Sequence, residues 1–149
     1  MNIRKLSVEE KAPINLLLTA DPSIDHVNDY VGRGQCFLAE TNDIIAGVCV
    51  LLPTRPGIAE LVNIAVEEAM QGQGIGKLLV QEAIELARRQ GFKKLEVGTG
   101  NSSIGQLAFY QKCGFRIIGI DMDFFIHYEE EIIENGIKCR DMIRLSLDL

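Results

Sequence analysis

The sequence predicts an α/β protein with a mixed, mostly antiparallel sheet, helices flanking it and a C-terminal β-hairpin. Three observations carry that expectation. Three runs rich in β-formers, Cys36–Glu40, Ile44–Leu52 and Ile58–Val66, follow one another across short turn segments, as in an antiparallel meander. A glycine-rich turn, Gln71-Gly72-Gln73-Gly74-Ile75-Gly76-Lys77, joins the third run to an amphipathic stretch, Ile75–Gln90. Strand-like and helical stretches then alternate until Asn135-Gly136, a type I′ turn signal that marks a hairpin.

Each element has a local reason. Ile3–Leu6 reads as a short first strand. Ser7 and Glu10 form a capping box, so a helix is expected from about Val8 to Ala20, with Pro13 a flaw inside it. Asp21-Pro22-Ser23 breaks that helix, and a second covers Ile24–Val31 up to Gly32. Thr41-Asn42-Asp43 is a hairpin turn, and Pro53–Gly57 is a loop. On the helix after the glycine-rich turn, Ile75, Leu78, Leu79, Ala83, Leu86 and Ala87 share one face, and Gly91 stops it. Lys94–Thr99 is a strand. Ser102 or Ser103 caps a helix carrying Ile104, Leu107 and Ala108 that ends at Gly114, and Phe115–Ile120 returns to strand. The tail reads as a long hairpin, Phe124–Glu134 and Ile137–Leu147 about Asn135-Gly136.

The 149 residues suit one domain spanning 1–149 with a substantial core. Apolar residues make up 47% and charged residues 24%, the balance of a soluble globular chain. The net charge of −6 disfavours nucleic-acid binding through phosphates and suits a cationic partner such as an amine. Cys36, Cys49, Cys113 and Cys139 form no C-x-x-C pair, and three lie in apolar runs. Reduced thiols and a cytoplasmic location are therefore expected. The polar start Met1-Asn2-Ile3-Arg4-Lys5 is unlike a signal peptide, and no apolar run is long enough to cross a bilayer, so no membrane partner is expected. His26 and His127 lack ligand spacing, so no metal is expected.

The chemistry concentrates at the glycine-rich turn. A strand that feeds such a turn into a helix leaves backbone N–H groups unpaired at the positive end of the helix dipole, where phosphate binds. The turn is not a P-loop, because Gln71 and Leu78 stand where Gly and Ser or Thr are needed. Neither is it a dinucleotide fingerprint, since Lys77 and Leu79 occupy the last glycine position in the two possible frames. An unrelated nucleotide-binding protein is weakened accordingly.

What remains is Q-x-x-G-x-G at Gln71, Gly74 and Gly76. Together with Glu60–Val66 before it, and Leu95-Glu96-Val97 leading through Asn101 to Phe109-Tyr110-Gln111-Lys112-Cys113-Gly114-Phe115, it resembles the GNAT superfamily of N-acetyltransferases over nearly the whole chain. The resemblance implies acetyl-CoA as cosubstrate and a splay between Ile58–Val66 and Lys94–Thr99. Pantetheine would lie in that splay on the backbone of Ile64, Ala65 and Val66, with pyrophosphate on the amides of Gln71, Gly72, Gln73, Gly74, Ile75, Gly76 and Lys77. Gln71 replaces the arginine common there, so affinity would rest more on backbone amides and Lys77.

By the same resemblance Tyr110 is the acid for the leaving thiolate, Glu60 or Glu96, or neither, is the base, acting through a water, and Asn101 is a contact to the pantetheine arm. Cys113, just before a helix-ending glycine, is expected to pack rather than react. The implied activity is acetyl transfer to a primary amine by direct attack. A non-catalytic acyl-CoA-binding module is the alternative. The acceptor, a small molecule or a peptide amine, would meet the early helices and the tail, with Tyr30, Arg33, Phe124 and His127 as lining candidates. A homodimer through the long apolar hairpin is plausible.

Overall fold

The computed structural model describes residues 1–149. Strands β1 (Asn2–Lys5), β2 (Gln35–Thr41), β3 (Ile44–Arg55) and β4 (Ile58–Val66) form an antiparallel meander. Between β1 and β2 lie helices α1 (Ile14–Ala20) and α2 (Ile24–Arg33). A 3-10 turn at Glu68–Met70 and the glycine-rich loop lead into α3 (Ile75–Arg89), then β5 (Lys94–Gly100), α4 (Ile104–Lys112) and β6 (Arg116–Asp121). The chain closes with β7 (Ile133–Glu134), β8 (Ile137–Lys138) and β9 (Met142–Asp148). Seven strands make one sheet in the order β1-β2-β3-β4-β5-β9-β6, with only β4 and β5 parallel. The last strand is thus inserted between β5 and β6.

Two apolar layers cover the sheet. On one face Leu79, Val80, Ala83 and Ala87 of α3 pack on Leu51, Leu61, Leu95 and Leu145. On the other, Leu16 and Leu17 of α1 and Val27 of α2 pack on Leu38, Val48 and Val50. Each fully buried leucine or valine among them contributes roughly 1.5–3 kcal/mol. Gly47 sets how closely α3 lies on the sheet. A Cβ there would come within 2.9 Å of Leu79 Cδ1 and 3.1 Å of the Ala65 carbonyl oxygen.

Three sequence expectations change. Helix α1 begins at Ile14, not near Val8. Pro13 lacks an N–H and disfavours helical backbone at Ala12, so the helix starts after it. The capping-box contact still forms, Ser7 N donating to Glu10 Oε1 at 2.9 Å, but it closes a turn, and Glu10 also pairs with Arg4. Leu78, assigned to the apolar face of α3, is 43% exposed.

The third change is in the tail. The long hairpin contracts to two residues a side about Asn135-Gly136, both at positive φ. Residues 122–132 turn instead of extending. Asp123 adopts φ 59°, and Ile126 and Tyr128 close local turns onto the carbonyls of Asp123 and Phe125. Phe124, Phe125 and Tyr128 pack edge to face, a geometry that favours a knot over a ribbon.

Candidate active site

The site begins where a ladder stops. β4 and β5 pair only over Ile58–Leu61 and Lys94–Val97. Val62 is an extra residue in β4 between the partners Leu51↔Leu61 and Val50↔Asn63, a β-bulge that bends the strand at the point of divergence. Beyond it Asn63, Ile64, Ala65 and Val66 pair with β3 alone. Their backbone on the β5 side has no ladder partner. The splay opens a cavity of about 990 Å³, lined by β4 from Glu60 to Val66, Gly98–Gly100 of β5, the loop, and Tyr110.

The loop supplies donors in a row. Gly72 and Gly74 hold positive φ, 79° and 83°, which a side chain would strain. Gly74 caps α3 without a side-chain bond, and the first intrahelical bond runs from Leu78 N to Gly74 O. The N–H groups of Ile75, Gly76 and Lys77 therefore have no partner within the helix, and they face its positive dipole end. Gln71, Gly72, Gly74, Ile75, Gly76 and Lys77 line the cavity, whereas the Gln73 side chain does not. Gln71 Nε2 donates to the Val66 carbonyl at 3.2 Å and ties the loop to the end of β4.

Tyr110 projects from α4 into the cavity and is only 4% exposed. Its ring meets Phe115 edge to face at 5.9 Å. Burial pushes its hydroxyl well above the usual tyrosine value, so it stays protonated. Cys113, three residues on, is half-buried, and burial raises its thiol as well, which leaves little nucleophilic thiolate.

The two carboxylates separate. Glu60 and Glu96 are register partners across the short parallel ladder. Glu60 lines the cavity, and Arg144 Nη1 donates to its Oε1 at 3.2 Å. Burial raises the Glu60 carboxyl, Arg144 opposes that rise, and nearby Glu96 and Asp121 add to it. Glu96 lies outside the cavity lining and is paired with Arg55 at 3.1 Å.

Asn101 is placed elsewhere than the resemblance implied. Its Oδ1 accepts from Arg140 N and Asp141 N at 2.8 and 3.0 Å, and its Nδ2 donates to Lys138 O at 3.1 Å. The side chain braces the turn before β9 and does not line the cavity. Tyr30, Phe124 and His26 line the cavity, while Arg33 and His127 do not. Arg33 pairs with Asp29 one helical turn away.

Several site residues escaped sequence reasoning. Arg144 reaches Glu60 from β9 by crossing Gly98, where a Cβ would stand 3.2 Å from its Nη1 and 2.6 Å from Met142 Sδ. Asp121 Oδ2 accepts from Arg144 Nε at 2.7 Å, and Phe124 lies 5.7 Å from the guanidinium. The available signal was a lone arginine amid the apolar alternation of the last strand. Asp21 gathers the hydroxyls of Tyr30 and Tyr128, each at 3.1 Å, and Asn63 Nδ2 donates to Tyr30 Oη at 2.7 Å. The bulge at Val62 turns Asn63 toward α1 and α2, where its Nδ2 also meets Leu17 O.

A splayed strand pair that empties onto an unpaired helix N-terminus, with a buried phenol alongside, defines a site for a long ligand with an anionic end. Residues 8–115 match the acetyltransferase (GNAT) family. The chain belongs to that family. It is 57% identical to the uncharacterised N-acetyltransferase YvbK of Bacillus subtilis, over 100% of both chains. A GNAT acetyltransferase from Elizabethkingia anophelis, solved with acetyl-CoA bound, is 46% identical with a TM-score of 0.97, over 99% of this chain and 97% of that one. An IAA acetyltransferase from Bacillus cereus is 56% identical with a TM-score of 0.95, over 99% of each chain.

Proposed function

We propose that this chain transfers acetyl from acetyl-CoA to a primary amine by direct attack, with no acyl-enzyme. The observation that carries the reading is the unpartnered β4 edge, Asn63–Val66, running straight into the unpaired amides at the start of α3. Backbone groups of Ile64, Ala65 and Val66 would bond the pantetheine arm and polarise the thioester carbonyl. Amides from Gln71 to Lys77 would hold pyrophosphate, with Lys77 adding charge.

Tyr110 then gives its proton to the thiolate as the C–S bond breaks. The ammonium of the acceptor must lose a proton before its nitrogen forms the new C–N bond. Glu60 is favoured over Glu96 for that task, because it lines the cavity and burial raises it toward neutral pH. Asn101 would act by bracing the turn before β9 rather than by touching the ligand. The acceptor enters between α1–α2 and residues 124–128, where Asp21 and Glu60 favour a cationic amine.

Thermal unfolding with and without acetyl-CoA, against NAD and ATP, tests the ligand. At a hundredfold excess over Kd, binding adds about 2.7 kcal/mol, a shift of roughly 5–10 °C for a chain this size. A shift with acetyl-CoA alone supports the reading. Thiol release is then measured with lysine, a polyamine, an aminoglycoside and a peptide with a free N-terminus. A folded protein that acetyl-CoA does not stabilise would overturn the proposal.

A further inference from the structure

The two edges of the sheet are built differently. β1, at one edge, carries Arg4 and Lys5, and Arg4 is pinned by Glu10 and Glu40. Charged side chains of this kind deter another strand from adding. β6, at the other edge, pairs with β9 on one side only and leaves a row of backbone donors and acceptors open on the other. Its charged residues, Arg116 and Asp121, stand only at its two ends, and the stretch between them is apolar. Ile117, Ile118 and Ile120 are 53, 58 and 55% exposed, and Met122 just beyond is 71% exposed. Open backbone beside contiguous exposed isoleucines is the signature of a strand that has a partner.

The register of β6 on β9 says which partner. Ile117 and Ile120 oppose Leu145 and Ile143, while Arg116, Gly119 and Asp121 oppose Ser146, Arg144 and Met142. Directly opposed residues share a face. The isoleucines therefore sit on the α4 side, and Arg116 and Asp121 on the cavity side. This common facing exists only because Ile118 is an extra, bulged residue between Ile117 and Gly119. A two-fold axis between Ile118 and Gly119 would set Arg116 of one copy opposite Asp121 of the other, twice. It would also set Ile117 opposite Ile120, twice. Asp121 bonds Arg144 through Oδ2 and leaves Oδ1 to accept the second arginine.

We propose that a second copy of this chain docks antiparallel along β6, joining the two seven-stranded sheets into one. This surface is distinct from the short β7–β8 hairpin. The inference does not depend on the proposed reaction.

Sedimentation equilibrium of the full chain over about 1–100 µM tests it. The expected mass is twice the 16.5 kDa of one chain. Ile118→Lys, at an exposed position, is expected to sediment as a monomer while keeping its circular dichroism and a cooperative melt whose midpoint no longer depends on concentration. Arg116→Asp faces two acidic pairs across the axis and should weaken association by about tenfold or more. In a cycle of Arg116→Gln and Asp121→Asn, each single variant loses both ion pairs, so the double variant should associate no more weakly than either single one. A parent that stays monomeric throughout overturns the proposal. So does a dimer that Ile118→Lys leaves intact, and a double variant weaker than either single one overturns the register.

Discussion

Replacing Tyr110 with Phe removes one oxygen from a position where the structure allows the cost to be divided between folding and chemistry. The ring stays against Phe115 and the apolar layer, so packing is unchanged. Burial and two neighbouring thiols account for the raised hydroxyl, with no hydrogen-bond contribution. Removing a buried hydroxyl that satisfies no partner leaves nothing orphaned, so stability should change by less than about 1 kcal/mol. The effect on turnover is different in kind. A positioned general acid contributes about 10²–10⁴-fold, so kcat should fall at least ~100-fold while stabilisation by acetyl-CoA persists. The assay is initial-rate thiol release with the best amine from the panel, alongside melting curves with and without acetyl-CoA. Turnover within about threefold of the parent, on a true substrate, would refute the acid role. A large loss of Tm would refute the division between packing and chemistry.

Three other outcomes follow from the geometry. Gly47→Ala places a Cβ 2.9 Å from Leu79 Cδ1 and should destabilise the protein by about 1–3 kcal/mol. It should also reduce stabilisation by acetyl-CoA, because α3 must lift, as melting curves with ligand would show. Arg144→Gln removes the group that opposes the raised Glu60 carboxyl, so the acidic limb of the pH–rate profile should move to higher pH. An unmoved limb would exclude Glu60 as the base. Burial pushes Cys36 from its usual 9.0 up to about 11 and raises the Tyr30, Tyr110 and Tyr128 hydroxyls from 10.0. A folded-state value above the unfolded one gives stability that is complete below the unfolded value and is lost as pH rises. Denaturant midpoints should therefore hold up to about pH 9 and fall above it.

Local signals carried most of the fold. The meander, the Gly72–Gly74 turn and the Tyr110 helix lie where composition and spacing put them, because each is decided within a few neighbouring residues. What escaped is non-local. Nothing near Val62 announces a bulge; it shows only in the register of β4 on β3, at the point where the β5 ladder stops. The Phe124–Tyr128 run has the composition of a strand, but its aromatic edges and the bond from Phe125 N to Arg140 O hold it as turns. Arg144 enters the site only because β9 lies beside a glycine forty-odd residues earlier in the chain. Asn101 shows the opposite error: the right type at the right offset, turned to brace its own loop.

The position of β9 also orders events during synthesis. β5 and β6 are made before the strand that lies between them, so neither pairs with the other. Until residues 142–148 leave the ribosome, both stand as bare edges with their isoleucines and valines uncovered, and Arg144 has not reached Glu60. The meander and α3 can assemble early, since their contacts are close in sequence. A stalled or shortened chain would thus hold a formed glycine-rich loop beside an unfinished, aggregation-prone half-sheet.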